Sequence, residues 1–590
     1  MEKSKFFREI LHQVDFCVVG GGLAGMFAAI AAARHGSKVV LMHERPVLGG
    51  NASSEIRMWI GGASGENKKE TGILEEIALE NLYRNPSKNY SIWDSILYEK
   101  VKMEPNITLL LNCSCNDAQM DETRITAIRG WQLTTQTWHT VEAKLFADCS
   151  GDSILAPLTG AEYRWGREAR SEFDEDIAPE IADRKTMGLS CLIQARETDS
   201  KREFIPPVWA NKYTKEDLPY RIPNMKSISE NYWYMELGGT RDTIHDTEEI
   251  RDDLLKVAFG VWDYIKNSGE CEADNWELDW VGFLPGKRES RRYVGDYIMT
   301  QNDVSTEGRF DDLIAYGGWS MDDHHPEGIK YPGKPTIFHP APSPYGIPYR
   351  CLYSKNIDNL LFAGRNISTT HTAMSSTRVM ATCAVIGQAV GIAANIAQEN
   401  NMTPRQVYEY KINELKQTLM EDDCYLPWNA RRISDITASA KLTTSEGDGE
   451  MLRNGIDRPI GSACNGWYAN LGAWVQYEFN KPILIKKVRI IFDSDLERAT
   501  ISTRYTAHKA SMGCNVFLNM DPGAVPLTMV KVFKVEVLVE QGIWVVVASE
   551  TNNYQRLITI KVDMSVKAVR LVADETWGAD KIHIFSFDVN

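Results

Sequence analysis

The stretch from Asp15 to Asn51 constrains this chain more than any other. A short apolar run, Phe16 to Val19, reads as a buried strand and breaks into Gly20-x-Gly22-x-x-Gly25. A small-residue helix follows through Ala33 and Arg34, and a second apolar run, Val39 to Met42, leads to Glu44. That is the grammar of a β-α-β unit. Its glycines let the backbone turn tightly, admit a pyrophosphate and bring the helix onto the sheet, while the carboxylate after the second strand takes a ribose hydroxyl. The helix start adds unpaired N–H groups and a positive dipole end. A strand before, a helix after and an acid nineteen residues past Gly25 all agree, so a merely structural glycine turn is the poorer reading. The pattern alone leaves NAD and FAD both open.

At 590 residues the chain exceeds one ordinary core, and two or three domains are expected. A formal net charge of −15 argues against nucleic-acid or anionic-membrane partners, which need basic surface. The N-terminal segment MEKSKFFREILHQ carries charges inside its apolar stretch, and no run is expected to approach the length of a membrane span. A cytoplasmic location is the expectation. Eleven scattered cysteines contain no CxxC, and Cys113-x-Cys115 lacks the partners of a zinc or iron–sulfur site, so they read as reduced thiols and no metal is expected.

After Asn51 comes a glycine-rich loop, then an amphipathic helix from Glu70 to Tyr83, a second helix near Ile92 to Lys102 and a strand from Ile107 to Leu111. Arg124 to Leu133 and Thr137 to Phe146 alternate like a hairpin layer, and the second leads into Asp148-Cys-Ser-Gly-Asp152. From about Arg164 to Ile314 the character changes. Lys185 to Ile193 and Tyr232 to Leu237 read as strands, and Asp246 to Lys266 as one helix capped by Asp246 or Thr247. In LPGKRESRR, Arg288 or Arg292 could clamp an anion; an ion-pair network with Glu289 and Asp296 explains the same residues equally well. In the loop around His324 and His325, neighbouring residues of extended backbone point opposite ways, so at most one of the two faces a site as a general base. The strand Leu360 to Ala363 then ends in Gly364-Arg365, a loop holds His371, and a helix from Ser376 to Gln398 is crowded with alanine and glycine. Such residues permit close approach to another element, the first helix being the obvious one, although an ordinary buried helix would look the same.

These motifs in this order resemble the FAD-dependent oxidoreductase family of the glutathione-reductase-like flavoprotein clan. The resemblance rests on GxGxxG, the Glu44-Arg45 to Gly49-Gly50 segment, DCSGD, LPGxRESRR, and NLLxAGRxIS followed by a histidine and GQAxGxAA, over residues 14 to about 400. It implies FAD as cofactor, held by Gly20, Gly22, Gly25, Glu44, Arg45, Gly50, Asn51, Cys115, Asp152, Gly364, Arg365 and the helix start near Arg378. It also implies that His371 lies near the flavin ring.

Beyond about Ala430 short alternating strands are separated by turn residues, which indicates an antiparallel sandwich. AxAxxTTSE, WVQYEF and AVRLVADETWG resemble the galactose-binding-like, discoidin-type jelly roll; sugar binding and plain packing against another domain or subunit both remain open. The fold class expected is therefore an α/β Rossmann-like FAD-binding domain (1–163 and 315–430), an inserted α+β substrate domain (164–314) and a C-terminal all-β jelly-roll sandwich (431–590). The activity expected is hydride transfer between flavin and a polar small molecule, a carbohydrate alcohol being the first candidate. His371, His324 or His325 would serve as base, and Arg288 and Arg292 would hold the substrate. Reduction of an unsaturated carboxylic acid is the alternative, and a carbohydrate-binding scaffold with structural FAD is a third reading. The electron partner is open, and a homo-oligomer is compatible with the sandwich.

Overall fold

The computed structural model describes residues 6–227, 230, 232–498, 515–520 and 522–590, so the first five residues of the N-terminal segment lie outside the described residues. β1 (Arg8–Val19), α1 (Leu23–Arg34) and β2 (Val39–Met42) form the expected crossover. α2 (Ile73–Arg84) and α3 (Tyr90–Lys102) follow, then β3 (Ile107–Leu110), β4 (Cys113–Asp121), β5 (Arg124–Gln132) and β6 (Thr137–Asp148). The seven-stranded sheet runs β3-β2-β1-β6-β5-β4, with Leu360–Phe362 also on β6. β3, β2, β1, β6 and Leu360–Phe362 are mutually parallel, and β4, β5 and β6 antiparallel. One edge of β6 serves both kinds of neighbour: Thr137–Glu142 pairs with β5 and Phe146–Asp148 with Leu360–Phe362. The hairpin expected as a separate layer is thus an extension of the parallel sheet.

α1 shows why its sequence is small and apolar all round. Every residue from Leu23 to Ala33 is buried, as a helix packed on more than one side requires. A Cβ on Gly25 would stand 1.8 Å from the Gly20 carbonyl oxygen, and Gly20 itself turns at φ +105. On another side, Cβ atoms on Gly387 and Gly391 would meet the carbonyl oxygens of Ala24 and Ala28 at 2.1 and 2.2 Å. The small-residue helix therefore does lie against α1, glycine to backbone. It is two helices, not one: His371–Thr377 and Met380–Glu399, parted where Val379 takes extended backbone. By length and composition Met380–Glu399 could cross a membrane, contrary to expectation, but 94% of its apolar window is buried inside the fold.

The described chain groups into two compact units, which differ from the sequence boundaries. Residues 1–64, 88–416 and 499–522 make the first; residues 65–87, 417–498 and 523–590 make the second. Residues 164–314 are not a unit of their own. They carry a local core around Leu189, Ile193, Met235, Leu254 and Trp262, the last on the helix Thr247–Asn267. That helix begins after Asp246, whose side chain makes no capping bond. Asn515–Val516, from the far end of the sequence, adds a parallel strand to Ile193–Glu197 in the same unit.

In the second unit the strands Ala473–Phe492 and Leu557–Thr576, each 20 residues long, pair antiparallel from Ala473 opposite Ala573 to Ile491 opposite Leu557, longer than the short strands expected. Bulges at Glu478/Ile483 and Ile485/Lys487 let one strand bend without ending. α2, read from sequence as part of the first domain, belongs here: Leu79 joins the sandwich core and Tyr83 stacks on Tyr554 at 4.0 Å. Arg498 pairs with buried Glu75 at 2.7 Å.

If glycine is needed at position 391 for backbone contact, Gly391→Val will lower stability by about 1–3 kcal/mol or more. Urea unfolding of the variant beside the parent checks this, and an unchanged midpoint would show that α1 can be reached without the contact.

Candidate functional site

A cavity of about 820 Å³ opens at the carboxyl ends of the parallel strands of the first unit. This is where open α/β sheets bind ligands, and the volume is that of a cofactor-sized site. Its first end is built from Gly20–Ala24, Glu44–Arg45, Gly49–Asn51, Cys113–Cys115, Cys149–Asp152 and Gly364–Arg365. Gly20–Ala24 follow β1, Glu44–Arg45 and Gly49–Asn51 follow β2, Cys149–Asp152 follow β6 and Gly364–Arg365 follow Leu360–Phe362, while Cys113–Cys115 open β4 just after β3.

Gly22 caps α1 with ordinary φ of −67, and a Cβ there would meet nothing closer than the Gly50 Cα at 3.8 Å. The space beside it is open cavity. His43, which sequence reasoning passed over, fixes the turn: its Nδ1 accepts the Gly21 N–H at 2.9 Å and its Nε2 donates to the Val47 carbonyl at 3.0 Å. Burial, helped by Arg45, lowers the His43 pKa to about 3, so the ring is neutral and one tautomer satisfies both bonds. Buried Asp148 receives the Ser150 and Leu155 N–H groups and the Tyr293 hydroxyl, tying the segment after β6 to its neighbours.

The lining fits the FAD that the resemblance implies. α1 offers its N-terminus, the glycine cradle has room, and the Nε atoms of Arg45 and Arg365 are buried without a hydrogen-bond partner among the described residues. Of the cofactor residues read from sequence, Gly20, Gly22, Glu44, Arg45, Gly50, Asn51, Cys115, Asp152, Gly364, Arg365 and Arg378 line the cavity. Gly25 does not; it acts through the close packing of α1. Asp152 is already engaged, by Lys287 at 2.7 Å and Arg365 at 2.9 Å, which against the cost of burial hold its carboxyl below the usual range.

The second end is lined by Trp233, Trp319, Phe338, His339, Arg288, Asp322, His324 and Arg378. Its charges form a chain. Arg288 lies 3.6 Å from Glu236 and bonds the Ser190 hydroxyl and the Trp233 carbonyl, both at 2.9 Å. His324 bridges Glu236 at 2.6 Å and Asp322 at 3.1 Å, and Asp322 reaches Arg378 at 3.4 Å. Burial opposes charge on His324, but Asp322 and then Glu236 outweigh it and raise its pKa. Both ring nitrogens are therefore committed to carboxylates, and the ring is unsuited to take a proton.

Of the two adjacent histidines only His324 reaches the cavity, as strand alternation requires; His325 stacks on Tyr331 at 3.5 Å and its assignment as a base is withdrawn. His371 is corrected as well. It is buried outside the cavity lining, with Nδ1 on Glu289 at 2.9 Å and Nε2 on Asp323 at 3.3 Å. Burial opposes protonation, yet Glu289 and Asp323 raise its pKa to about 10, so at neutral pH it has no lone pair for a substrate proton. Arg292 is likewise no clamp. It is fully enclosed by Glu289, by Glu168 at 2.8 Å and by the carbonyls of Gly166 and Thr369. The ion-pair reading of LPGKRESRR was thus right for Arg292 with Glu289, whereas Asp296 pairs with Arg405 at 2.7 Å.

Sequence reasoning missed His339. It lines the cavity from the end of the strand Thr336–His339, where the pairing with Met321–His324 stops; the register itself puts its neighbour Phe338, opposite Asp322, on the cavity face. Among the described residues its ring makes no hydrogen bond. Trp233 and Trp319 were likewise invisible as site residues.

The His371 bridge gives a pH prediction. Its folded pKa, about 10, lies above the ordinary 6.5, so the stabilisation is full below pH 6.5 and fades as pH rises toward and through 10. Melting temperatures of the parent and His371→Gln should differ most at pH 6 and converge above pH 10. A constant gap across that range would mean the ring is not held charged.

A family model described as FAD dependent oxidoreductase matches residues 15–419. No curated protein matches the chain. Among solved structures, a geranylgeranyl bacteriochlorophyll reductase-like protein from Thermoplasma acidophilum is similar at 12% identity, covering 70% of this chain and 85% of that one with a TM-score of 0.33. The family 32 carbohydrate-binding module of Streptococcus pneumoniae EndoD is 15% identical over 27% of this chain and 99% of that module, TM-score 0.19. The family 32 module of C. perfringens NanJ, in complex with galactose, is 10% identical over 26% and 95%, TM-score 0.18. The matched family region holds every residue that lines the cavity, from Val19 to Cys383, and this chain belongs to the FAD dependent oxidoreductase family.

Proposed function

We propose that this enzyme oxidises a polar alcohol, a carbohydrate being the first candidate, by hydride transfer to FAD. Bound FAD supplies the two-electron acceptor. The observation that carries the reading is one continuous cavity, running from the glycine turn at Gly22 to a polar and aromatic end at Trp319 and His339. In this reading the first end holds the cofactor: Gly20 and Gly22 face the diphosphate, Glu44 the ribose, and Arg45 and Arg365 add charge. The clan fold is the glutathione-reductase-like one, and residues 164–314 shape the substrate end. The sandwich is a galactose-binding-like jelly roll, a reading that rests on its sequence motifs.

The alcohol's proton needs an acceptor as its C–H bond breaks. His339 is the candidate, because His43 and His324 also line the cavity but have both ring nitrogens engaged. Trp233, Trp319 and Phe338 offer flat apolar faces that exclude water and suit the C–H face of a sugar. A cytoplasmic setting and a homo-oligomer belong to the same proposal, and the electron acceptor that regenerates oxidised flavin stays open.

Two variants test the reading. Gly22→Val has room to fold, since nothing but cavity lies within 3.8 Å of its new Cβ, yet its side chain occupies the diphosphate's place. It should purify folded and colourless beside a yellow parent, and a flavin-loaded variant would displace the cofactor from this turn. His339→Gln should slow anaerobic flavin reduction by roughly 10²- to 10⁴-fold with flavin content unchanged. Reduction at the parental rate would remove His339 from proton transfer.

A further inference from the structure

The lining of the cavity is rich in basic side chains. Six basic side chains line it, Arg45, Lys287, Arg288, Arg291, Arg365 and Arg378, against three acidic ones, Glu44, Asp152 and Asp322. This surplus of basic groups sits in a chain whose formal net charge is −15, so it is not a reflection of overall composition. A dinucleotide's diphosphate brings about two negative charges, and the first end, with Arg45, Arg365 and the α1 terminus, is the part that would receive them. Glu55 beside Arg45 and Glu236 beside Arg288, just behind the lining, offset part of the basic charge, so what matters is how the charge is distributed between the two ends.

At the second end the basic groups outnumber the carboxylates they touch. Glu236 lies between Arg288 and His324, and Asp322 between His324 and Arg378, so three cations share two carboxylates. Asp322 is the more divided of the two. It takes His324 at 3.1 Å and the Thr336 hydroxyl, leaving Arg378 only long contacts of 3.3 and 3.4 Å to its backbone and side-chain oxygens. The Arg378 Nε is buried with no hydrogen-bond partner among the described residues, although the side chain lines the cavity. A guanidinium with a free N–H edge in a partly desolvated cavity is a fork for a carboxylate. Trp319 flanks the same space with an indole N–H that is also buried and unpartnered.

Building on the oxidoreductase reading above, we propose that the substrate carries a carboxylate, seated on Arg378 and the Trp319 N–H, with the Arg288–Glu236–His324 chain supplying the field behind it. The substrate class is then a hydroxy acid such as an acidic sugar, rather than a neutral one. An unsaturated acid offers the same carboxylate, and the direction of electron flow tells the two apart.

The test uses the flavin-loaded full chain under anaerobic conditions. Oxidised protein is titrated with glucuronate and galacturonate and with the neutral parents glucose and galactose. Protein reduced beforehand with dithionite, excess removed, is titrated with simple enoates such as fumarate and crotonate. Binding is read as perturbation of the flavin spectrum, and turnover as bleaching or return of colour. A carboxylate should bind roughly ten- to hundredfold more tightly than its neutral counterpart, the worth of a charge-assisted hydrogen bond. Bleaching by a uronate marks the hydroxy acid, and recolouring by an enoate marks the unsaturated one. Arg378→Gln should collapse the preference for the acid toward unity per bound flavin, and Arg378→Lys should restore part of it. Equal binding of acid and neutral ligand, a preference that survives Arg378→Gln, or no spectral response to any of these carboxylates would overturn the proposal. Protein that takes up no flavin at all would instead overturn the reading beneath it.

Discussion

The arrangement depends on backbone meeting backbone around α1. Three glycines on two sides of this helix, Gly25, Gly387 and Gly391, leave no volume for a methyl group between it and the Gly20 turn or the helix Met380–Glu399. Interiors packed at crystal density do not absorb even one added carbon cheaply. Because the contacts run through main chain, they fix the axis of α1 rather than the conformation of a side chain. The N-terminus of α1 and that of Met380–Glu399 therefore reach the same cavity, at Leu23 and Met380. A site for a long, doubly charged ligand needs that rigidity, since phosphate oxygens are read by backbone N–H groups with no torsions to adjust.

A second constraint is how the chain buries charge beside that site. The strand Met321–His324 alternates, and its two faces do different things. Asp322 and His324 turn to the cavity, while Asp323 turns away to His371. Arg288 and Glu289 repeat the division, one toward the cavity and the other into the enclosed network of Arg292, Glu168 and His371. Each histidine bridges two carboxylates, so the two networks are chemically alike. They differ in completeness. Arg292 is met by two carboxylates and two carbonyls, whereas Arg378 has only long contacts. A buried cation without full partners is costly, so this asymmetry belongs at a site and not in a core.

What could be read from the sequence was what short-range geometry dictates. The glycine turn from Gly20 to Gly25 and the small-residue helix each follow from one turn or one helix period; the structure has both, although Gly25 serves packing rather than the cavity and the helix is interrupted at Val379. His371 misled because residue type and loop position say nothing of partners; only the fold brings Glu289 and Asp323 to its two nitrogens and turns a candidate base into a fixed cation. His339 was missed for the converse reason. It lines the cavity from the last position of a strand, where the pairing with Met321–His324 ends, and only the fold brings that strand end to the site. The boundaries failed for the same cause: α2 lies early in the chain, yet its Leu79 is buried among strands from beyond residue 430.

The cavity's two ends can be weighed by one standard. At the first end Asp152 is paired with both Lys287 and Arg365, and Glu55, behind the lining, lies 3.6 Å from Arg45. At the second end Asp322 serves two cations, and aromatic rings replace the acids that would otherwise balance them. Rings lower the local dielectric and strengthen whatever charge remains. Their quadrupoles favour cations over anions, so they ease the burial of Arg378 without supplying the lone pairs its N–H groups need. An oxyanion supplies those lone pairs, and a neutral hydroxyl supplies them more weakly. On the proposed reading, the aromatic wall that would suit a sugar ring would also favour an acidic sugar over a neutral one.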